Sequence, residues 1–436
     1  MGLVPAGPAL HLLGEGGGHA IPSLMSLLID TQRLTDEIEY LARISDTPYP
    51  SVTRVLFSSV DLRAREWLKL LYADAGLVVR EDAVGNTFAR WPGRDPAATP
   101  VATGSHIDAI PNAGRFDGVV GVLGGLEAIR ALQRAGRQPR RSIELVMFTA
   151  EEPTRFGLGC LGSRLMAGTL SRAKIDRLRD PQGLSVDDVC AQAYMHGTLE
   201  STRLTPGCYD SFVELHIEQG PLLEQKKMPI GVVTAIAAPA ALRLDLTGPG
   251  GHAGTVLMPD RRDPSLAAAE IMQAVERAAL ATQSRDTVAT CGLVQVLPGA
   301  VNSIPREVRL EIDVRDIDGG RRDGVLAAIR TAARAAAERR GCGFKEQLIN
   351  ADPPATCAPH IVSAVEQAAA DLGLPCQRMI SRAYHDSLFM AQVCPTAMIF
   401  VPSKDGISHR PDEYSSPGEI ADGVRVLAGA LERLAG

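Results

Sequence analysis

The chain has 436 residues, of which 45% are hydrophobic and 22% are charged. This balance is typical of a folded globular protein and excludes a disordered or fibrous one. The formal net charge is −6, so the chain lacks the basic character that nucleic-acid binding requires. At about 100–200 residues per domain, the length predicts two or three domains.

The eight cysteines are scattered along the chain without a C-x-x-C pair, which favours reduced thiols and a cytoplasmic location. Apolar runs fall short of the roughly 18 residues that a membrane helix needs, and the first residues lack the pattern of a signal peptide. We therefore expect no membrane partner. Residues 1–28 are rich in glycine and predict a loose N-terminal extension, to which we assign no function.

The first half of the chain contains continuous apolar runs, at 100–104 and 143–150. Such runs indicate strands that are buried on both faces of a sheet. Between them, apolar residues recur at helical spacing over 119–135. A strand, a helix and a strand in this order predict a parallel sheet with a crossover helix.

From about residue 237 the strands change character, because apolar and polar residues alternate as in a sheet with one solvated face. The predicted elements are strands at 242–247, 287–296, 308–315 and 344–349 and helices at 264–281 and 320–339. Their order, βαββαβ, is ferredoxin-like. A helix at 359–372 and an apolar strand at 396–401 then return to the first pattern. We predict an α/β fold in which a small domain, 237–352, is inserted into a catalytic domain of 29–236 and 353–436 with a mixed, mostly parallel sheet.

Polar residues follow several of the apolar runs, at the sheet edge where ligands collect in α/β folds. They are GSHID (104–108), RFDG (115–118), EEP (151–153), HIEQG (216–220) and GISH (406–409). Taken singly, such a histidine is often structural and such a glutamate pair often starts a helix. Together they form the ligand set of a Zn²⁺ or Mn²⁺ site.

The same segments resemble the M20 metallopeptidase superfamily and, within it, the amidase, hydantoinase/carbamoylase family. The motifs are GSHIDAIPNAGRFDG (104–118), FTAEEPTRFG (148–157), ELHIEQG (214–220), GPGGHAGT (248–255), VNSIP (301–305), DVRD (313–316), HDSLFM (385–390) and GISHRPDEY (406–414). The resemblance runs from about residue 30 to the end of the sequence. It implies a zinc-peptidase-like catalytic domain, a lid and dimerisation domain, a homodimer, and two divalent metal ions per subunit.

The resemblance also implies five metal ligands. Asp117 is expected to bridge the two ions, with His106 and His216 completing one site. Glu152 and His409 are expected to complete the other site. The bridge is physically reasonable, since two cations a few ångströms apart need a shared anion to offset their repulsion.

Further residues are expected to support this centre. Asp108 is expected to accept the second N–H of the His106 imidazole. Glu151 is expected to be the general base that moves the water proton to the leaving nitrogen, although it could instead only cap a helix. The resemblance assigns oxyanion stabilisation to His252 and Asn302, which come from the small domain and often reach across a dimer.

The resemblance extends to the substrate. Arg315 is expected to bind a carboxylate, and Gln219 is expected to contact the ureido or carboxylate group. Tyr384 stands where many relatives have glycine, and it is expected to narrow the pocket and add a hydrogen-bond partner. His385 is expected to face the substrate or to be structural, with a ligand role as the alternative. The stretch RAYHDSLFM (382–390) is similar to ureidoglycolate amidohydrolases, which makes ureidoglycolate the leading substrate candidate.

The predicted function is a two-metal amidohydrolase that cleaves the C–N bond of a linear ureido acid. N-carbamoyl-L-amino acid hydrolase and allantoate amidohydrolase are alternatives, and an aminoacylase or dipeptidase is a more distant one. A non-catalytic protein of this fold is disfavoured because the expected ligands and base are present. The segment 248–253 matches the dinucleotide pattern G-x-G-x-x-A, but its preceding strand alternates and no helix is predicted directly after it, which argues against an oxidoreductase.

Overall fold

The computed structural model describes residues 27–436. The prediction for residues 1–28 therefore lies outside the described residues, except for Leu27, which is buried in the core, and Leu28, which is exposed. The fold is mixed α/β, as predicted, with a nine-stranded sheet, a four-stranded sheet and two short two-stranded ribbons in the described part. None of the helices in this part combines the length and the apolar character that a membrane crossing needs.

The first part of the chain contributes four strands of the large sheet and the two strands of one ribbon, together with three helices. The elements are α1 (Thr31–Arg43), β1 (Val52–Arg54), α2 (Ser59–Asp74), β2 (Val78–Glu81), β3 (Thr87–Trp91), β4 (Val101–His106), β5 (Ala109–Ala113), α3 (Val119–Arg134) and β6 (Ile143–Phe148). Every residue of β4 and β6 is buried, which explains their continuous apolar runs. The two strands are parallel and in register from start to end, with α3 as the crossover.

A stretch of short helices precedes the next strands of the large sheet. The elements are α4 (Leu161–Ala167), α5 (Arg172–Ile175), α6 (Val186–Gln192), β7 (Ser211–Ile217), α7 (Leu222–Lys226) and β8 (Ile230–Ile236). Strand β7 is fully buried and pairs in parallel with β4. The helices α4 and α6 pack their apolar side chains into a separate small core.

The predicted βαββαβ order is confirmed in the following segment. Its elements are β9 (Ala238–Thr247), β10 (Gly251–His252), α8 (Pro264–Leu280), β11 (Val288–Leu297), β12 (Ser303–Ile304), β13 (Glu307–Asp316), α9 (Gly319–Arg339) and β14 (Gly343–Ala351). The four long strands form an antiparallel sheet in the order β11-β13-β9-β14. One face packs against α8 and α9, which leaves the polar face of the alternating strand β13 uncovered by helices.

The last part of the chain returns to the large sheet. Its elements are β15 (Ala355–Thr356), α10 (Pro359–Asp371), β16 (Cys376–Ser381), α11 (Ser387–Met390), β17 (Thr396–Val401) and α12 (Pro417–Ala435). The strand order is β15-β8-β17-β7-β4-β6-β3-β2, with β16 also paired to β8. Strands β17, β7, β4 and β6 are mutually parallel, so their carboxyl ends meet at one edge of the sheet.

Candidate active site

Two groups of possible metal ligands lie at the carboxyl edge of the parallel strands. The first cluster consists of His106 at the end of β4, His216 near the end of β7, and Asp117 just before α3. The second cluster consists of the same Asp117 with Glu152, which follows β6, and His409, which follows β17. The structure thus brings together all five ligands that the sequence predicts.

The carboxylate of Asp117 lies between the two clusters, in the position of a bridging ligand. Its Oδ1 atom lies 3.5 Å from His106 Nε2 and 3.2 Å from His216 Nε2. Its Oδ2 atom lies 3.2 Å from His409 Nε2, which in turn lies 3.4 Å from Glu152 Oε1. Two ligands of one tetrahedral zinc ion are themselves about 3.4 Å apart. Each oxygen of Asp117 therefore faces the donors of a different cluster at a spacing that suits one ion.

The electrostatics of the clusters also fit divalent cations. Burial raises the pKa of Glu152 to about 7, and the charge of Asp117 adds to the effect. Burial opposes ionisation of Asp117, but hydrogen bonds to three histidines hold its pKa well below the usual range. The hydrogen bond to Asp117 raises the pKa of His409 to about 9. Carboxylates crowded in a buried site favour a bound cation, because it offsets their mutual repulsion.

Glu151 stands beside the clusters without belonging to either. Its Oε2 atom lies 3.7 Å from His106 Nε2, and its Oε1 atom accepts a weak hydrogen bond from Cys160 Sγ at 3.5 Å. The residue lines the central cavity. Burial, together with the charge of the adjacent Glu152, raises the pKa of Glu151 well above its ordinary value. A carboxylate with a raised pKa on a cavity wall is suited to proton transfer.

Asp108 connects the end of β4, which carries His106, to the loop after β6, which carries Glu151 and Glu152. Its carboxylate accepts the backbone N–H of Glu151 at 3.2 Å and that of Glu152 at 3.0 Å. The Nδ1 atom of His106 lies 3.1 Å from the backbone oxygen of Asp108 and 3.5 Å from its carboxylate. The nearer acceptor for the imidazole thus belongs to Asp108, the residue that the sequence predicts, but it is the backbone oxygen and not the carboxylate. The carboxylate instead fixes the direction in which the two glutamates leave β6.

The amide nitrogen of Gln219 donates hydrogen bonds, whereas its amide oxygen has no hydrogen-bond partner. Its Nε2 atom donates to Asp117 Oδ2 at 2.8 Å and to Ser408 Oγ at 3.2 Å. Its Oε1 atom is buried and has no partner, and the residue lines the cavity. The backbone of Gln219 is left-handed, with φ of 56°. Such strain is typical of functional positions, and the unpaired oxygen can accept a hydrogen bond from a bound molecule.

Glu413 is a residue of this region to which the sequence interpretation assigns no role, although it lies within the quoted motif GISHRPDEY. It is 1% exposed and accepts hydrogen bonds from the loops of Asp117 and His409. The signal available in the sequence was its spacing of four residues after His409. That spacing does not distinguish a buried carboxylate from a solvated one.

The cavity beside the clusters has a volume of about 560 Å³, within the usual range for small-molecule sites. One wall carries the residues of the two clusters together with Glu151 and Gln219. The opposite wall is the uncovered face of the four-stranded sheet, including Glu311 and Arg315 of β13. The Arg315 guanidinium is paired with Asp313 at 2.9 Å and donates to the backbone oxygen of Arg382 at 2.9 Å.

Tyr384 lines the cavity, but its hydroxyl is already engaged. The hydroxyl donates to Asp352 Oδ2 at 2.7 Å and accepts from Asn350 Nδ2 at 2.7 Å. Arg164 binds the same Asp352 carboxylate through two N–H groups. Tyr384 therefore lines the cavity, whereas its hydroxyl connects residues at the junction between the two sheets.

Three of the residues that are expected to act on the substrate do not line the cavity. His252, in the ribbon of β10 and β12, and Asn302, directly before β12, are exposed. His385 is 2% exposed and lies beneath His216, with ring centroids 4.6 Å apart, while its Nε2 atom lies 2.8 Å from Ser381 Oγ. His385 thus lies below the cavity wall, in the position of a structural residue, which is one of the two roles expected from the sequence.

A third group of possible ligands surrounds His385. It consists of Glu214, His216 and His385. The two Glu214 oxygens already accept hydrogen bonds, one from Ser105 Oγ at 2.8 Å and the other from Ser387 N at 3.1 Å. We therefore assign no ion to this group.

Comparison with known proteins finds relatives that match nearly the whole chain in sequence and in structure. A protein named ureidoglycolate hydrolase from Oryza sativa subsp. japonica is 52% identical over 432 residues, which cover 98% of this chain and 89% of that protein. A protein named N-carbamoyl-L-amino acid amidohydrolase from Geobacillus stearothermophilus is 38% identical over 409 residues, which cover 94% of this chain and 99% of that protein. A crystal structure of AtUAH in complex with (S)-hydroxyglycine has a TM-score of 0.85 at 49% identity, covering 94% of this chain and 99% of that one.

The family match covers most of the large sheet and all of the small one. Residues 102–433 match Peptidase family M20/M25/M40, a range that begins within β4 and includes the two clusters, the cavity and the four-stranded sheet. The resemblance inferred from the motifs is thereby confirmed, as is the prediction of a hydrolase whose relatives act on non-peptide C–N bonds. The chain belongs to Peptidase family M20/M25/M40.

Proposed function

We propose that the protein is a two-metal amidohydrolase that hydrolyses the C–N bond of a linear ureido acid, with ureidoglycolate as its substrate. The observation that carries the proposal is the pair of ligand clusters that share Asp117, with the carboxylate of Glu151 beside them. Two divalent ions per subunit, Zn²⁺ or Mn²⁺, would be held by the first and second clusters. When bound, they would supply Lewis acidity and lower the pKa of water at the site.

The chain itself supplies the groups that move the proton. Glu151 lies at the cavity wall next to the first cluster, so it is placed to take a proton from the attacking water. Its raised pKa suits the following step, in which it gives that proton to the leaving nitrogen. Asp108 holds the backbone of Glu151 in place, which limits the motion of the base between the two steps.

The polar groups of the cavity match a small ureido acid. The guanidinium of Arg315 lines the cavity and can bind the carboxylate of the substrate in a bidentate manner when it exchanges its contacts with Asp313 for the substrate. The unpaired Oε1 atom of Gln219 can accept a ureido N–H, and the ring of Tyr384 limits the length of the molecule. The relatives named ureidoglycolate hydrolase support this choice of substrate. The relative named N-carbamoyl-L-amino acid amidohydrolase, at 38% identity, supports that activity as the second candidate.

A homodimer and a cytoplasmic location are parts of the same proposal. His252 and Asn302 are exposed and do not line the cavity of their own subunit. We propose that they stabilise the oxyanion in the site of a partner subunit, with residues 237–352 acting as the lid and dimerisation domain. The eight cysteines all occur as free thiols, which is consistent with a reducing compartment.

The function can be tested by following ammonia release from ureido acids and amino-acid release from a dipeptide, since hydrolysis of a peptide bond yields no ammonia. The protein is stripped with a chelator, reloaded with Mn²⁺ or Zn²⁺, and supplied with ureidoglycolate, allantoate, an N-carbamoyl-L-amino acid or a dipeptide. We expect metal-dependent release that is fastest from ureidoglycolate, measured against a control without enzyme. Cleavage of the dipeptide, with silence on every ureido acid, would contradict the proposed substrate class.

Replacing Arg315 by alanine is expected to raise KM for carboxylate substrates by about 10–100-fold, with a smaller effect on kcat. The reason is the loss of a charge-assisted hydrogen-bond pair, worth about 1.5–3 kcal/mol. Arg309 gives a matched control, because it lies on the same strand and pairs with Asp245 at 2.7 Å but does not line the cavity. An Arg315→Ala protein with an unchanged KM would exclude this residue from carboxylate binding.

A further inference from the structure

We propose that Glu413 is a positioning residue that sets the distance between Asp117 and His409 and thereby determines the affinity of the second cluster for its ion. The inference rests on the proposed two-metal site. It concerns a carboxylate that belongs to neither cluster and that acts through the loops on which two of the ligands lie.

The contacts of Glu413 divide between the two loops. Its Oε1 atom accepts the backbone N–H of Phe116 at 2.9 Å and that of Asp117 at 3.1 Å. Its Oε2 atom accepts the hydroxyl of Ser408 at 2.9 Å and the backbone N–H of His409 at 3.3 Å. One carboxylate thus connects two ligand-bearing loops that lie nearly 300 residues apart in sequence, since Glu413 and Asp117 are separated by 296 positions.

Glu413 is not itself a candidate ligand. Both of its oxygens are occupied by N–H or O–H donors, and the side chain is 1% exposed. The chain leaves room for it at Gly114, where a Cβ atom would lie 2.4 Å from Glu413 Cβ. A side chain at Gly114 would therefore displace the carboxylate from both loops.

The second cluster depends on the hydrogen bonds of Glu413 more than the first does. His106 and His216 lie on β4 and β7, inside the large sheet, where the strand pairing fixes their positions. His409 lies in a loop, its side chain is 47% exposed, and its backbone is left-handed with φ of 59°. A left-handed non-glycine residue persists only where its surroundings hold it, and the bond from His409 N–H to Glu413 is one such contact.

The test is a Mn²⁺ titration of the chelator-treated Glu413→Gln protein by calorimetry, together with electron paramagnetic resonance. Glutamine keeps the shape of the side chain but places an NH₂ group where two donors now point. We expect two ions for the wild-type protein, whereas in the variant one ion keeps its affinity and the other is bound about 10–100-fold more weakly. The spin-coupled signal of an ion pair should give way to that of a single Mn²⁺.

A control separates this effect from a general loss of stability. Asp316 is also buried and accepts four hydrogen bonds, from the hydroxyl of Thr287, the backbone N–H of Asp318 and two N–H groups of Arg321, and none of these partners lies in a loop that carries a candidate ligand. Asp316→Asn should lower the melting temperature and keep both ions. The milder Glu413→Asp variant, which keeps the charge but is too short to reach both loops, serves if Glu413→Gln does not fold, and it should show the same selective loss.

Three results would overturn the inference. The first is binding of both ions at wild-type affinity by the folded Glu413 variants. The second is an equal weakening of both ions that Asp316→Asn reproduces, because this would be the effect of stability alone. These first two results would leave the proposed function intact. The third, a wild-type protein that binds a single ion, contradicts the two-metal site itself and the inference with it.

Discussion

Replacing Glu151 by glutamine is expected to lower kcat by about 10²–10⁴-fold while the protein keeps both metal ions. Glutamine has the same shape and can be held by the same backbone bonds to Asp108, but it cannot take a proton from water. Because Glu151 belongs to neither ligand cluster, the metal content should not change. The measurement is kcat on the best ureido acid, together with metal analysis of the purified variant.

The neighbouring residue provides the control for this result. Glu152→Gln changes a ligand of the second cluster, so it should reduce metal content as well as activity. A Glu151→Gln enzyme that works within threefold of the wild-type rate would remove Glu151 as the base. Loss of an ion from Glu151→Gln would instead make it a ligand, and the assignment of the two adjacent glutamates would have to be exchanged.

Replacing Asp117 by asparagine is expected to weaken both ions at once and to lower activity by on the order of 10³-fold or more. Both oxygens of Asp117 are used, one toward each cluster, and an amide offers a single neutral oxygen. The change also removes the negative charge that would separate two cations. Metal analysis should show fewer than two ions per chain after dialysis, and circular dichroism should show a folded protein.

The contrast with the other ligands makes this prediction specific. His409→Ala should weaken the ion of the second cluster and spare that of the first, because His409 belongs to the second cluster alone. An Asp117→Asn protein that loses one ion and keeps the other at full affinity would show that the two clusters do not share the residue.

The strands that carry the site could be predicted from the sequence because burial on both faces forces them to be continuously apolar. The predicted run 143–150 and the helix 119–135 differ from β6 and α3 only at their ends. Strand β2 has no such signal, since it is four residues long, mostly exposed and paired on one side with β3. Edge strands of this kind depend on tertiary pairing more than on their own pattern.

The candidate ligands could also be predicted from the sequence, whereas the residues that hydrogen-bond to the ligand-bearing loops could not. A metal centre requires particular residue types at the ends of strands, and those types stand out in sequence. The bonds of Glu413 to Asp117 and His409 depend on two loops meeting in space, which no local pattern records. The same holds for Tyr384, whose hydroxyl is committed to Asp352 and so is not available to a substrate.

The position of Tyr384 limits how the specificity of this protein can change. Its ring restricts the cavity, and its hydroxyl joins Asn350 at the end of β14 to Asp352 in the connection that follows. A mutation to glycine would enlarge the cavity and in the same step remove two hydrogen bonds from the junction of the two sheets. Acceptance of longer substrates is therefore coupled to a looser junction, and an evolutionary or engineered route to them would need a compensating contact for Asp352 first.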